Sequence, residues 1–363
     1  MNNKKLKVFH VIEALGGGVY SYFCDLTQVF GPSDRVQTTI IYNDQRAEII
    51  PENVQKDFHS NVRLLKVPMN ENISPFNDYK SIKALSRIFK KEQPDVIHLH
   101  SSKAGVLGKV AAKIASSQAQ LFYTPHGYSF LRKDISSSKA AVFKAIEKRM
   151  ASFYGFTTIA CGDTEFDEAK KLHDRVELIR NGVPYNKIKT FLNTQPTSKF
   201  TVGILGRITH ARNPKLFNEI ALQLPDVQFV WIGDGILKDQ ITAPNITITG
   251  WFMNRNEGLE HLNRLDVYLQ TSLWEGLPIA VLEAMVFEKP VVATNVIGNR
   301  DIVLPSQTGF LIDGAAQAVQ AITQLFDKDL RLQMGKNGSK RVDEVFNSTK
   351  NFSQLIDLYY SRS

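Results

Sequence analysis

Apolar residues follow two alternating patterns along the chain. Short apolar or β-branched runs predict buried strands, and longer segments with apolar residues three and four positions apart predict amphipathic helices. In the first half the predicted strands are LKVFHVI, VQTTIIY, VRLLKVP, DVIHLH, AQLFYTP, FTTIAC and RVELI. Helices are predicted between several of them, notably KSIKALSRIFKKE and AGVLGKVAAKIASS. Strand, crossover helix, strand is the order typical of a parallel doubly wound sheet.

The second half repeats this order. Its predicted elements are KFTVGILG, PKLFNEIALQL, VQFVWIG, ITITG, LDVYLQ, a helix within 271–294, and PVVAT. A chain of 363 residues suits two domains, with the joint at 184–198. We therefore expect an α/β protein with two doubly wound domains, and a ligand where the carboxyl ends of strands face the cleft between them.

Composition favours a soluble globular protein, with 43% apolar and 22% charged residues. The basic start and first apolar run suggest a signal peptide, but the run is short, contains His10 and Glu13 and ends in glycines, so a first strand is expected. No run approaches the ~20 apolar residues that span a bilayer. Cys24 and Cys161 stand in apolar surroundings, which favours reduced thiols and a cytoplasmic protein.

The net excess of positive charge lies entirely in the first half. Residues 1–192 hold 28 Lys plus Arg against 19 Asp plus Glu, a net of +9, whereas the remainder holds 16 against 17, a net of −1. The excess is dense around a helix predicted at 138–154, whose apolar stripe is Ala141, Phe143, Ile146, Met150 and Phe153. Two interpretations stay open: a core-facing helix with a solvated basic face, or a surface that docks on anionic lipid. Nucleic-acid motifs are not found.

The stretch 271–294, TSLWEGLPIAVLEAMVFEKPVVAT, carries two acidic residues eight positions apart, Glu275 and Glu283. A helix is expected from Pro278 to about Met285. Glu275 is then expected in the loop and Glu283 about two turns up the helix. At 3.6 residues per turn, eight positions make roughly 2.2 turns, so an arrangement in which both carboxylates face one cleft is expected. A single helical Glu is usually solvated, but Glu283 lies in an apolar run, and a buried carboxylate needs a partner or a ligand.

Between the two carboxylates, the N–H groups of Gly276 and Leu277 are expected to be unpaired helix-start donors that suit an anion. A ligand with hydroxyls at both ends and phosphates in the middle matches this arrangement. The stretch therefore predicts a site for a nucleotide sugar.

Three further segments place polar or glycine residues at strand ends. Gly16-Gly17-Gly18 follows the first strand and suits a phosphate, although it is not G-x-G-x-x-G. DVIHLHSSKAG brings two histidines and Lys103 to a strand end, where zinc would lack an obvious third ligand. YTPHGYSF repeats the arrangement with His126 and Tyr128.

In the second half, ILGRITHARNP places Arg207 after a strand and Arg212 before a helix, and two such cations can bind a diphosphate. WIGDG is expected to fix this loop, and TGWF lies at another strand end. Asp327-Lys328-Asp329 has the D-x-D form of metal-dependent transferases, but it lies in a polar break between helices and is interpreted as structural.

These motifs together resemble family 4 glycosyltransferases, enzymes of the two-domain GT-B fold. Glu275 to Glu283 stands as the E-x7-E signature, GGGV as the family's glycine loop, PHG as its histidine element, and NGV at 181–183 as the turn near the hinge. The family usually has Gly-Arg, four residues, then Lys; here Arg212 replaces that Lys. The resemblance covers almost the whole chain.

The resemblance implies domains at 1–185 and 199–345, for acceptor and donor respectively, and a terminal helix, 346–363, that crosses back to the first domain. Glu275 would bind donor hydroxyls, Glu283 the ribose diol, and His126 the reacting sugar, while Arg207 and Arg212 stabilise the leaving diphosphate. Remaining donor contacts would be Gly17, Gly18, Trp251, Phe252, Gly276, Leu277, Pro278 and Ile279. Acceptor contacts would be Lys103, Tyr128 and Arg132.

The activity implied is retaining, metal-independent transfer without a cofactor, in the synthesis of bacterial capsule or related surface glycans. The donor expected is a UDP-sugar, with an N-acetylated sugar as one option and GDP-mannose and dTDP-rhamnose types still open. The acceptor would be an anionic or lipid-linked glycan, and the enzyme would lie on the inner face of the cell membrane. A GT-B sugar-nucleotide epimerase and a non-catalytic nucleotide-sugar-binding protein remain as alternatives.

Overall fold

The computed structural model describes residues 5–13, 15–43, 51–69, 74–131, 135–192, 199–252 and 254–361. The chain forms two compact units, residues 1–181 with 348–363 and residues 182–347. The domain limits expected at 185, 199 and 345 stay predictions.

Seven parallel strands form the sheet of the N-terminal unit. They are β1 (Leu6–Ile12), β2 (Val36–Tyr42), β3 (Arg63–Lys66), β4 (Val96–His100), β5 (Gln120–Thr124), β6 (Thr157–Ala160) and β7 (Val176–Leu178). Their spatial order is β3-β2-β1-β4-β5-β6-β7. The order reverses between β1 and β4, so the carboxyl ends of these two strands mark the switch point where doubly wound sheets bind ligands.

The helices of this unit cover both faces of the sheet. They are α1 (Gly17–Phe30), α2 (Pro51–Asp57), α3 (Pro75–Glu92), α4 (Ser102–Ile114), α5 (Ser137–Tyr154), α6 (Asp163–Lys170) and, from the end of the chain, α14 (Ser348–Ser361). One apolar cluster joins β1 and β2 to α1 and α14, and a second lies on the opposite face under α3 and α4. Helix α3 begins five residues earlier than the pattern predicts, because Pro75 suits a first helical position.

Helix α5 begins one residue before its predicted start and ends where predicted, but the predicted apolar stripe is partly wrong. Ala140, Phe143 and Ala151 pack against the core, whereas Ile146 is 41% exposed. The inward face is set by Glu147, which is buried and accepts hydrogen bonds from Ser102 and Tyr123, both at 2.9 Å. A hydropathy pattern assigns glutamate to solvent, so it misses this polar anchor.

Lys109 on α4 lies in the same interior region. Its Nζ is 3.3 Å from the ring centroid of Phe156 and 4.1 Å from that of Tyr123. Burial lowers the pKa of Lys109 to about 7, an effect that the charge of Glu147 partly offsets. Burial also raises the pKa of Glu147.

The C-terminal unit repeats the design with six parallel strands. They are β8 (Thr201–Leu205), β9 (Gln228–Ile232), β10 (Ile246–Ile248), β11 (Val267–Gln270), β12 (Val291–Thr294) and β13 (Gly309–Ile312), in the order β10-β9-β8-β11-β12-β13. Each strand predicted from the sequence is present to within two residues at either end. The switch point of this sheet lies between β8 and β11.

Its helices are α7 (Tyr185–Lys189), α8 (Pro214–Gln223), α9 (Arg255–Asn263), α10 (Ile279–Val286), α11 (Asn299–Ile302), α12 (Ala315–Gln324) and α13 (Lys328–Val345). Asp327 caps α13, since its Oδ1 accepts from the N–H groups of Asp329 and Leu330. This confirms the structural interpretation of the D-x-D sequence. Among the described helices, none combines the length and apolarity that crossing a bilayer requires.

Candidate functional site

The loops after β8 and β11 bring a cation and a carboxylate together at the switch point of the C-terminal sheet. Arg212 ends a 3-10 turn after β8 and forms an ion pair with Glu275, which follows β11. Gln270 Nε2 donates to the Glu275 carboxylate at 2.7 Å, and Arg212 Nη1 donates to Ser272 Oγ at 3.1 Å. The two charges are therefore oriented by neighbours as well as by each other.

Burial controls the electrostatics of this pair. The Arg212 and Glu275 side chains are only 24% and 11% exposed. Burial lowers the pKa of Arg212, with a smaller effect in the same direction from the nearby Arg207 charge. An arginine stays protonated in spite of such a shift. Arg207 itself is exposed on the same loop, so the loop presents two cations at the edge of the sheet.

Backbone packing fixes the loop that carries these arginines. The indole N–H of Trp231 donates to the Gly206 carbonyl at 2.8 Å. A Cβ on Gly233 would lie 2.5 Å from that same carbonyl oxygen, so a side chain there would push the two loops apart. Gly233 also has φ +133°, a conformation that glycine adopts readily.

A second ion pair involves Glu283 on α10 itself. Glu283 is 6% exposed and accepts from Nε and Nη2 of Arg255 at 2.9 and 2.7 Å. Arg255 opens α9, whose N-cap is Asn254. The two acidic residues of the 271–294 stretch are thus each paired with an arginine, Glu275 with Arg212 and Glu283 with Arg255.

The start of α10 differs by one residue from the prediction. The helix begins at Ile279, with Pro278 as the preceding cap residue, and Val281 donates to the Pro278 carbonyl at 3.2 Å. By helix geometry the N–H groups of Ile279 and Ala280 have no acceptor within the helix.

The other predicted donor contacts in this unit differ in exposure. Leu277 is buried, Phe252 half-buried and Trp251 59% exposed. The carbonyl of Gly276 lies so close to Gly298 that a Cβ there would be 2.3 Å away. Close packing of these backbones therefore shapes the turn that leads into α10.

In the N-terminal unit, histidines from β1, from the end of β4 and from the turn after β5 form a hydrogen-bonded chain. His10 Nδ1 lies 2.9 Å from His100 Nε2, and His100 Nδ1 lies 3.0 Å from His126 Nε2. His10 and His100 are buried, whereas His126 is half-buried. Burial lowers the pKa of His10 to about 3 and of His126 to about 4, and it also holds that of His100 well below its ordinary value. All three imidazoles are neutral near pH 7.

His98 lies beside this chain but bonds elsewhere. Its Nδ1 is 2.6 Å from the Tyr359 hydroxyl of α14, and its Nε2 is 2.8 Å from Thr124 Oγ1. His10, His98 and His100 place ring nitrogens within 4.8 Å of one another, so His10 supplies the third histidine that the sequence pattern did not identify. Both ring nitrogens of His98 and His100 already bond to protein groups, so an ion there would have to displace hydrogen bonds.

The turn that carries His126 is held in a strained conformation. His126 has φ +55°, in the left-handed region that few non-glycine residues adopt. Glu165 fixes the turn, because it accepts from the N–H groups of Gly127 and Cys161, both at 2.7 Å. The ring of Tyr22 packs edge-on against His126 at 4.8 Å. Strain maintained by its surroundings is common at functional sites.

The other residues of this unit that were predicted to contact substrate differ in exposure and in their contacts. Gly17 and Gly18 are exposed at the start of α1. Lys103 forms an ion pair with Asp78 at 2.9 Å. Tyr128 is buried and stacks on Phe130. Arg132 lies outside the described residues.

Sequence reasoning missed four residues that build these clusters: Arg255, Gln270, Ser272 and His10. Gln270 and Ser272 carried a signal, since polar residues that end a buried strand often face a site. Arg255 lies 28 positions before Glu283, and nothing in the spacing connects them.

Two family models together match nearly the whole described chain. Residues 16–187 match "Glycosyltransferase Family 4", and residues 187–341 match "Glycosyl transferases group 1". The chain is also 30% identical over 332 residues to an Escherichia coli UDP-Gal:alpha-D-GlcNAc-diphosphoundecaprenol alpha-1,3-galactosyltransferase, covering 82% of this chain and 84% of that protein. The chain is a family 4 glycosyltransferase.

Two further similarities agree with this assignment. The transferase is 26% identical over 326 residues to the Staphylococcus aureus capsular polysaccharide biosynthesis glycosyltransferase CapM, covering 81% of this chain and 83% of CapM. Its fold matches the sucrose-phosphate synthase of Thermosynechococcus elongatus with a TM-score of 0.83 at 17% identity, over 98% and 99% of the two chains. This confirms the GT-B fold predicted from the sequence.

Proposed function

We propose that this transferase moves a hexose, with retention of configuration, from a UDP-sugar to a sugar carried on a lipid diphosphate during bacterial surface polysaccharide synthesis. Two relatives support the proposal. The Escherichia coli enzyme is named for a UDP-sugar donor and a diphosphoundecaprenol acceptor, and CapM for capsular polysaccharide biosynthesis.

The observation that carries the proposal is the pair of arginine–carboxylate contacts before and on α10. Glu275 lies in the loop that precedes the helix and Glu283 lies on the helix, and each is oriented by an arginine. We assign Glu275 to the hydroxyls of the donor sugar and Glu283 to the ribose diol. Arg207, Arg212 and the first N–H groups of α10 are assigned to the diphosphate between them.

In this mechanism the protein stabilises the leaving diphosphate. Cationic and N–H donors that are already in place act most strongly on charge that develops in the transition state, each contributing roughly 3 to 4 kcal/mol. No carboxylate is assigned as nucleophile, and no metal is assigned a role. The base would lie near Trp251 and Phe252, and Gly17 and Gly18 would approach the diphosphate.

We assign the N-terminal unit to the acceptor and to support of the reacting sugar. His126 would contact that sugar as a neutral imidazole. Lys103 and Arg132 would attract an acceptor diphosphate. Tyr128 is buried and would support the site from beneath.

Product analysis tests the activity. The protein is incubated with UDP-galactose, UDP-glucose or their N-acetylated counterparts, and with a GlcNAc-diphospho-lipid acceptor, in the presence of EDTA. Mass spectrometry should show an acceptor larger by one sugar, and NMR an α-anomeric linkage. A UDP-sugar converted to its epimer without acceptor would indicate the epimerase alternative. UDP binding without any product would indicate a binding protein.

We also propose that α5 docks on anionic lipid. Its outer face exposes Val142 and Ile146, 57% and 41% accessible. Four exposed cations accompany them, namely Lys139, Lys144, Lys148 and Arg149. Apolar side chains beside basic ones are typical of helices that lie in a lipid headgroup layer.

Vesicle sedimentation tests this surface. Binding should require phosphatidylglycerol in phosphatidylcholine vesicles and should weaken at high salt. Lys144→Gln with Lys148→Gln should weaken it roughly 30-fold, from about 1 kcal/mol per lysine. The same charge change at Lys328 and Lys336, which are exposed on α13, is the control. Equal losses in both double variants would contradict docking through α5.

A further inference from the structure

The two hydrogen bonds that link His10, His100 and His126 must be donated in the same direction along the row of rings. A neutral imidazole carries one N–H and one lone pair, so each ring that bonds on both sides donates on one side and accepts on the other. His100 bonds on both sides, to His10 and to His126. Either the N–H groups all point from His10 towards His126, or they all point the other way.

The far end of the chain decides between these two arrangements. His10 Nε2 is buried without a hydrogen-bond partner among the described residues, and the rings of Phe23 and Phe30 pack edge-on around His10 at 6.0 and 5.4 Å. If the N–H groups pointed towards His10, that nitrogen would hold an orphaned N–H in an apolar interior. Orphaned buried N–H groups are rarer in proteins than unpaired acceptors. The N–H groups therefore point towards His126.

We propose that His10 and His100 hold His126 in a single tautomer, with its proton on Nδ1, so that His126 serves as a hydrogen-bond donor to the substrate. In this role His100 is a positioning residue. His126 Nε2 is occupied by the His100 N–H, which leaves Nδ1 as the ring nitrogen available for a ligand. The use of this donor on the transferred sugar rests on the function proposed above, whereas the tautomer itself does not.

The Nδ1–H group of His126 then donates its hydrogen bond while the imidazole stays neutral. Burial keeps the pKa of His126 near 4, so the imidazole stays neutral over the working range. A neutral N–H donor can hold a sugar hydroxyl or a phosphate oxygen in one orientation. The second ring nitrogen of a histidine commonly sets the tautomer of the first in this way.

Nitrogen NMR of the ligand-free protein tests the tautomer directly. Long-range proton–nitrogen correlation on ¹⁵N-histidine protein distinguishes a protonated ring nitrogen from one with a lone pair. The chain has eight histidines, so the His126 signals are assigned by their loss in His126→Gln. Protonated Nδ1 and unprotonated Nε2 are expected. Protonated Nε2, or a mixture of the two tautomers, would overturn the proposal.

A pair of matched variants tests the positioning role. His100→Asn keeps an amide near the original Nδ1, but this amide can either donate or accept, so His126 should become a mixture of tautomers. His98→Asn is the control, because His98 is equally buried on the same strand yet bonds to Tyr359 and Thr124. His126 should keep its Nδ1 proton in this control. If His100→Asn does not fold, the wild-type spectrum alone still decides the tautomer.

Kinetics then connect the tautomer to transfer. In His100→Asn, kcat should fall about tenfold, as expected for one misoriented hydrogen bond. KM for the UDP-sugar and the affinity for UDP should stay within about twofold, and His98→Asn should leave all of them near wild type. Equal kcat in the two variants would contradict the positioning role. If the wild type shows the tautomer but no transfer, the proposed function fails and the tautomer assignment stands.

Discussion

Arg255 and Glu283 should respond very unequally to mutation, although they form one ion pair. The Glu283 side chain is 6% exposed and that of Arg255 is 29% exposed. Arg255→Ala removes two hydrogen bonds from a carboxylate that water hardly reaches. Glu283→Gln leaves a guanidinium that can turn towards solvent and keeps an oxygen acceptor in place.

The expected magnitudes follow from this difference. Removing one partner of a fully buried ion pair costs about 3 to 5 kcal/mol. Because Arg255 is partly exposed, we expect about 2 to 3 kcal/mol for Arg255→Ala. Glu283→Gln should cost about 0.5 to 1 kcal/mol. In the double variant the charge and its partner are both absent, so its cost should be about 1 kcal/mol below the sum of the singles.

Tryptophan fluorescence gives a clean assay for this unit. All three tryptophans, Trp231, Trp251 and Trp274, belong to residues 182–347, so their signal during urea unfolding reports on the C-terminal unit alone. The free energy of unfolding is compared for the wild type, both single variants and the double variant. UDP affinity, measured by calorimetry, should fall in all three variants because each alters the carboxylate assigned to the ribose.

Equal destabilisation by the two single variants would show that the burial of the Glu283 carboxylate does not control the energy of the pair. Costs that simply add in the double variant would show the same. Glu257→Gln is a suitable control, since Glu257 lies on the same helix as Arg255 and shares an exposed hydrogen bond with Asn254. It should change the free energy of unfolding by less than about 0.5 kcal/mol.

Three shorter predictions concern other charged and titrating groups. Arg212→Lys keeps the charge but loses the guanidinium geometry that reaches both Ser272 and Glu275, so kcat should fall about tenfold to a hundredfold in the transfer assay, and wild-type turnover would contradict this. The pKa of His10 is about 3 in the folded protein, against 6.5 ordinarily, so the unfolded chain binds the proton first and the free energy of unfolding falls as pH drops below 6.5. His10→Phe should remove about 1.4 kcal/mol per pH unit of that dependence between pH 4 and 6. Urea unfolding monitored by circular dichroism measures it. Burial lowers the pKa of Lys109 to about 7, against 10.5 ordinarily, so the free energy of unfolding rises with pH between these values. From pH 7 to 10 the free energy of unfolding should therefore change less with pH in Lys109→Met than in the wild type. An unchanged slope would show that Lys109 is not desolvated.

The strands and the central acidic stretch were predictable because their signals are local. Strands buried on both faces read as continuous apolar runs, so twelve of the thirteen described strands were predicted to within two residues, whereas β13 was not predicted. The burial of Glu283 likewise follows from the apolar residues on either side of it in the sequence. These features needed no knowledge of which elements become neighbours.

The partners of these residues could not be predicted in the same way. The contact of His10 with His100 depends on β1 lying beside β4, and that of His100 with His126 on β4 lying beside β5. These pairs are 90 and 26 positions apart in the chain. Glu147 on α5 was missed for a related reason, since its burial depends on hydroxyl groups from other elements.

The place of α14 has a consequence for how the chain matures. Residues 348–361 follow the whole second unit in the sequence, yet they belong to the first unit, where Phe352, Leu355 and Tyr359 enter its apolar core. The Tyr359 hydroxyl also bonds to His98 in the interior of the sheet. The nascent N-terminal unit is therefore incomplete when it leaves the ribosome, and the whole second unit must be synthesised before the first is closed. A premature stop codon just before Ser348 would remove a core helix from the N-terminal unit, which is synthesised first, and would leave all residues of the C-terminal unit in place.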